Sequence, residues 1–272
     1  MDLRDFAPAD EKPLDRLVHD GGFCSIFRSI ACVGDSLSSG EFESILPDGK
    51  KLYHDFYWYS WGQYIARACG STVRNFSRGG MTASNYCNAF AESRGFWDPA
   101  LACQAYIVAL GCNDVVNQKQ EMGSTGDVCM EDWRKNRPTF AGYYAQIIQR
   151  YKEIEPRAKF FLVTLPRDHR EERAPIAQAH RKLMYDLAEL FENCYVIDLW
   201  QYAPVYGPEF RSLFFMGGHM NPCGYVLTSQ FMISYIDYIV RHNMQDFKEV
   251  GYIGSPLAFE MDAPANPLYI PK

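Results

Sequence analysis

The sequence lacks several features that would settle a function class at once. It has no apolar run of the ~18 residues a membrane span requires. It has no block of five or six basic residues, and 27 Lys and Arg stand against 33 Asp and Glu, for a net charge of −6. Nucleic acid and anionic membrane are therefore not expected partners. Neither H-x-x-x-H nor H-E-x-x-H occurs, so no metal site is expected. No Gly-rich phosphate loop or dinucleotide fingerprint is present, so no organic cofactor is expected. G-x-S-x-G is also absent, which disfavours the nucleophile mounting of α/β-hydrolases. Nine cysteines are present, an odd count with irregular spacing and no C-x-x-C, which reads as buried free thiols in a reducing compartment. The first residues, MDLRDFAPADEKPLDRL, are charged and contain no apolar signal core, so the expectation is a cytoplasmic protein.

What is present is a large apolar fraction, 47% with 15% aromatic, enough for a substantial core in 272 residues. Apolar runs at 29–33, 72–76, 105–110, 159–165 and 195–199 read as buried strands. Between them, helices are expected over 57–69 (stopped by Gly70), 139–155 (before Pro156), 174–193 (Pro175 in the first turn) and 222–242 (entered through Asn221-Pro222). Short apolar strands alternating with helices predict a parallel sheet covered on both faces. The expected organisation is one domain over 1–272, with 1–25 an N-terminal extension and 250–272 a C-terminal tail packed on the domain. The polar segment 113–138 reads as a long excursion after the third strand.

In such a sheet, ligands bind beyond the carboxyl ends of the strands. There the sequence places Gly34-Asp35-Ser36, then Ser77-Arg78-Gly79-Gly80, then Gly111-Cys112-Asn113-Asp114, and before the last helix Met216-Gly217-Gly218-His219. Acyl transfer by a serine needs a base, an orienter for that base and donors for the oxyanion. Ser36 can be the nucleophile and His219 the base. Gly79 and Gly80 let a backbone N–H approach a reacting oxygen without a Cβ in the way. Asn113 offers a side-chain amide.

These four blocks in this order resemble the GDSL esterases, also called SGNH hydrolases: Gly34-Asp35-Ser36-Leu37, Asn75-Phe76-Ser77-Arg78-Gly79-Gly80, Gly111-Cys112-Asn113-Asp114 and His219. The similarity spans 29–242. It implies an α/β fold, a flavodoxin-like three-layer α/β/α sandwich with a central five-stranded parallel sheet. It also implies an oxyanion hole made of the Ser36 N–H, the Gly80 N–H and the Asn113 amide. The family usually carries Asp three residues before the histidine, and here that position is Met216. Three readings stay open: a backbone carbonyl near Phe215–Gly217 orients the ring; a carboxylate from another loop does so, with Asp198, Asp168 or Glu41 as candidates; or the chain is catalytically dead. Asp35, Arg78 and Met216 are candidates for substrate contact or for orienting, with bracing of the nucleophile turn the first expectation for Asp35. Phe42, Tyr53, Phe56, Tyr57, Trp58, Tyr59 and Trp61 form a dense aromatic cluster suited to core packing, sugar rings or acyl chains. The function expected is hydrolysis of short-chain acyl esters, with O-acetyl groups on carbohydrates first and a small-molecule or oligosaccharide ester as substrate. The alternatives are a lysophospholipase or thioesterase, and a non-catalytic carbohydrate-binding relative.

Overall fold

Five strands form one parallel sheet in the computed structural model, which describes residues 3–259. The strands are β1 (Ser29–Gly34), β4 (Thr72–Asn75), β5 (Ala105–Ala109), β6 (Lys159–Val163) and β7 (Cys194–Ile197), with a hairpin of β2 (Glu41–Ile45) and β3 (Lys51–Asp55) inserted between β1 and β4. The order across the sheet is β4-β1-β5-β6-β7, and every neighbouring pair is parallel. The chain runs outward from β1 to one edge, returns, and then fills the other side, which places the switch point between β1 and β5.

The strands sort their side chains with period two into two cores. Ala31, Val33, Tyr106, Val108, Phe160 and Leu162 face one core, with the helices Phe140–Ile154 and Ala174–Leu190 over them. Ile30, Cys32, Ala105, Ile107, Phe161 and Val163 face the other, under the helices Trp61–Cys69 and Pro222–His242. The result is the three-layer α/β/α sandwich.

Helix boundaries follow local chemistry. The first long helix starts at Trp61, later than the run from 57 predicts, because Ser60 leaves the helical region and its hydroxyl accepts the Gln63 N–H. It stops at Gly70, whose φ of 63° puts it in the left-handed region. Thr139 caps the next helix, and the third ends at Leu190, three residues before Asn193 takes φ 59°. Asn221 caps the last helix by accepting the Gly224 N–H at 2.9 Å, with Pro222 in the first turn.

The antiparallel hairpin β2–β3 is absent from the pattern read above. It pairs Glu41 with Asp55 and Glu43 with Tyr53. A second, two-residue ribbon pairs β8 (Phe215–Met216) with β9 (His219–Met220). In the expected tail, Val250 and Ile253 join the core, and the Arg157 guanidinium donates to the carbonyls of Tyr252, Ser255 and Leu257. The rest of that tail, 260–272, lies outside the described residues, as do residues 1–2 of the expected extension.

Candidate active site

A cavity of about 570 Å³ opens at the carboxyl edge of the sheet, lined by Ser36, Gly80, Asn113 and His219 together. Asp35 follows β1 and caps the short helix Ser36–Ser39, its carboxylate accepting the Leu37 N–H at 3.1 Å. Ser36 is thereby the first residue of a helix, where backbone N–H groups have no intrahelical partner. Among the described residues, neither the Ser36 N–H nor the Gly80 N–H donates to another backbone group. Asn113 spends one amide hydrogen on the Met81 carbonyl at 3.2 Å and accepts from Asn117. Its amide carries a second hydrogen.

The two adjacent glycines serve different ends. Gly80 has φ 70° and no atom within 4 Å of where a Cβ would sit, so its backbone conformation demands glycine. A Cβ at Gly79 would collide with Glu41 Oε2, so that position is held open for a carboxylate.

A carboxylate stands at His219 Nδ1. His219 Nδ1 lies 2.9 Å from Glu43 Oε1 in hydrogen-bond geometry. The same oxygen accepts the Gly218 N–H at 2.6 Å, and Oε2 accepts from Lys51 Nζ at 2.9 Å. Burial of Glu43 by itself favours the neutral acid, but the hydrogen bonds from Lys51, His219 and Gly218 outweigh it and hold the carboxyl below its ordinary value.

This corrects the backbone-carbonyl reading. The Gly217 carbonyl turns to the Arg211 guanidinium at 3.0 Å, not to the ring. Gly217 and Gly218 serve another purpose: a Cβ on either would strike the Glu43 carboxylate. Met216 pairs with His219 across the small ribbon, is 43% exposed and does not line the cavity.

The other carboxylate candidates also move. Asp198 is buried and accepts from Arg181 (2.7 Å), Tyr185 (2.9 Å) and the Gln201 N–H (3.1 Å). Asp168 faces the cavity but is engaged by Arg170 and His169. Glu41 does reach His219, on the opposite nitrogen: its Oε1 stands 3.0 Å from Nε2. No hydrogen bond joins the Ser36 hydroxyl to His219 among the described residues. Arg78 lies over the Phe90 ring at 4.8 Å and does not line the cavity. Burial pushes the Asp35 carboxyl up to about 6, and that of Asp114, whose Oδ1 accepts the Ala83 N–H, up to about 7.

Glu43 is the residue that sequence reading missed, although a signal existed. Glu41-Phe42-Glu43 alternates, and Pro47-Asp48-Gly49 is a turn, so 41–55 reads as a hairpin with one polar face. In the structure Phe42 points into the core against Tyr225, while Glu41 and Glu43 face His219. Tyr53, opposite Glu43, packs edge-on to the His219 ring at 5.7 Å. Of the aromatic cluster, Trp61 is core, whereas Trp58 is 75% exposed.

No curated protein sequence matches the chain. Among solved structures, a carbohydrate esterase family 2 enzyme with a carbohydrate-binding domain from Corynascus thermopiles (Myceliophthora fergusii) is similar, with TM-score 0.53 and 15% identity, over 77% of this chain and 65% of that one. An active-site mutant of a family two carbohydrate esterase from Clostridium thermocellum aligns with TM-score 0.51 and 14% identity, over 86% of this chain and 66% of that one. At these identities the likeness is one of fold. The GDSL-like Lipase/Acylhydrolase family matches residues 32–227, more than half of the chain and all four motif blocks, so the protein belongs to that family and is an ester-bond hydrolase.

Proposed function

We propose that the protein is a serine esterase in which Ser36, His219 and Glu43 act as a triad. The observation that carries this reading is the Glu43 carboxylate on His219 Nδ1, in a cavity that Ser36 shares. With its proton on Nδ1 and donated to Glu43, the imidazole presents Nε2 as the acceptor. Ser36 Oγ attacks the ester carbonyl carbon and passes its proton to Nε2. The N–H groups of Ser36 and Gly80 and the free hydrogen of the Asn113 amide receive the oxyanion. His219 returns the proton to the departing alcohol. Water then attacks the acyl-enzyme by the same route and releases the acid and Ser36.

Glu43 serves where the usual aspartate three residues before the histidine is missing. A carboxylate holds the tautomer and stabilises the imidazolium that forms during attack, which a carbonyl does less well. No metal or organic cofactor takes part in these steps.

For substrate class we propose short-chain acyl esters, with O-acetyl carbohydrate first, in line with the two carbohydrate esterases the fold resembles. The cavity also has apolar walls, Val163, Leu165 and Met232 among them. An acyl-length series therefore decides between acetyl and longer chains; a preference for longer chains would favour the lipid or thioester alternative. The reaction itself is tested with p-nitrophenyl acetate. Wild type turns it over, and Ser36→Ala loses on the order of 10⁵-fold in kcat. Equal rates for the two would sink the assignment.

A further inference from the structure

Glu41 takes no part in the steps above, yet it is the side chain standing at the reactive nitrogen. Its backbone carbonyl accepts the Tyr225 hydroxyl at 2.7 Å, and its carboxylate lies over Gly79, 12% exposed. It lines the cavity with Ser36. The two hairpin glutamates differ in how they are satisfied. Glu43 accepts from Lys51, Gly218 and His219. The Glu41 carboxyl stands 3.0 Å from His219 Nε2 without a hydrogen bond to it, and accepts no protein donor among the described residues. Burial, together with the nearby Asp55 and Glu43, disfavours its charged form.

A carboxylate so placed gains from any donor that enters the cavity. In an ester substrate the carbonyl and a plain acyl chain bring none. The alcohol portion can, as a hydroxyl close to the ester bond. We propose that Glu41 is a specificity-determining residue: before substrate binds it rests against His219 Nε2, and on binding it turns to a hydroxyl of the substrate's alcohol portion, carrying with it any proton shared with that nitrogen, which leaves Nε2 unprotonated for Ser36. This rests on the Ser36–His219 reading. It selects esters of polyhydroxy alcohols, sugars among them, over alkyl esters. A substrate that supplies the hydroxyl replaces the lost contact, whereas one without it must break the contact uncompensated.

The test compares kcat/KM for an O-acetylated methyl glycoside and for ethyl acetate in wild type, Glu41→Ala and Glu41→Gln, with melting temperature as the fold control. Glu41→Ala is expected to lose about tenfold or more on the glycoside acetate, the size of one hydrogen bond to a charged group, while its rate on ethyl acetate rises. Glu41→Gln, whose amide oxygen still accepts from a hydroxyl, shifts the ratio of the two rates in the same direction by a smaller factor, and carries the test should the alanine variant fail to fold. A purely structural role lowers both substrates by a common factor. That result, or an unchanged ratio in a folded variant, overturns the proposal. Ser36→Ala separates the two levels: its inactivity on both substrates leaves the triad standing whatever Glu41 shows, and retained hydrolysis overturns the triad and this inference together.

Discussion

Two regions of different construction meet in the cavity. One is the carboxyl edge of the parallel sheet, where Ser36 follows β1, Gly80 follows β4 and Asn113 follows β5. Of these, β1 and β5 are buried on both faces between the two cores, and β4 is the edge strand paired with β1. The other region is a pair of antiparallel ribbons, β2–β3 and β8–β9, which carry Glu41, Glu43 and His219. A lone two-stranded ribbon is marginal in water. Here β2–β3 is held by Phe42 in the core, by the Ser39 hydroxyl on Asp55 at 2.6 Å, and by the Tyr225 hydroxyl on the Glu41 carbonyl. The proposed nucleophile and oxyanion donors thus sit on a rigid platform, and the proposed base, with the two carboxylates beside it, sits on small elements docked against it. Rigid placement suits groups that must meet a transition state, while an element with fewer supports can let a side chain change partner.

The sharpest way to break this comparison is to disable the ribbon side alone. Glu43→Ala is expected to lower kcat on the order of 10³-fold with little change in melting temperature, because the imidazole loses the partner that sets its tautomer. A loss of under tenfold would return the orienting role to the backbone. On the sheet side, Asn113→Ala should cost about 10²-fold in kcat, the effect of one oxyanion donor, and leave KM nearly unchanged. A change confined to KM would move Asn113 from the oxyanion to substrate binding.

A smaller effect concerns stability. Asp114 is fully buried, with Oδ2 unpartnered and its carboxyl pushed up to about 7. Its folded value lies above its unfolded value of 3.8, so the folded chain holds a proton that the unfolded chain releases, and stability falls as pH rises from about 4 to about 7. Asp114→Asn keeps an acceptor for the Ala83 N–H and removes this slope. Its melting temperature should match wild type near pH 4 and exceed it by roughly 10 °C at pH 8, read by thermal melts across pH. The smallest expected effect is that of Met216→Asp. It restores the residue pattern common in the family, yet His219 Nδ1 is already taken by Glu43, so kcat should stay within about threefold of wild type. A large gain would mean that Glu43 is a poor substitute.

The same division governs what could be read in advance. The strands and long helices announce themselves through apolar period, caps and glycine stops, because each of those signals is local. Ser36, the pair Gly79-Gly80, Asn113 and His219 could be singled out for the same reason, each lying beside a strand or helix end, and the family resemblance chose Gly80 from its pair. For Glu43 the hairpin was legible but the role was not, because its partner is 176 positions away and the ribbon that carries it is short and half exposed. A reading tuned to buried strands and long helices passed over its alternation. The glycines before His219 were legible as unusual, but their purpose was not: they clear space for a carboxylate from the other ribbon.

By itself the sequence determined a parallel sheet with helices on both faces, a serine after its first strand, and a histidine before its last helix. These follow from patterns within a few residues of each position. Only the tertiary structure decided that Glu43 takes one nitrogen of that histidine and Glu41 stands at the other. Both arrive through the docking of one ribbon on another, a contact between distant segments that packing settles and local pattern does not encode.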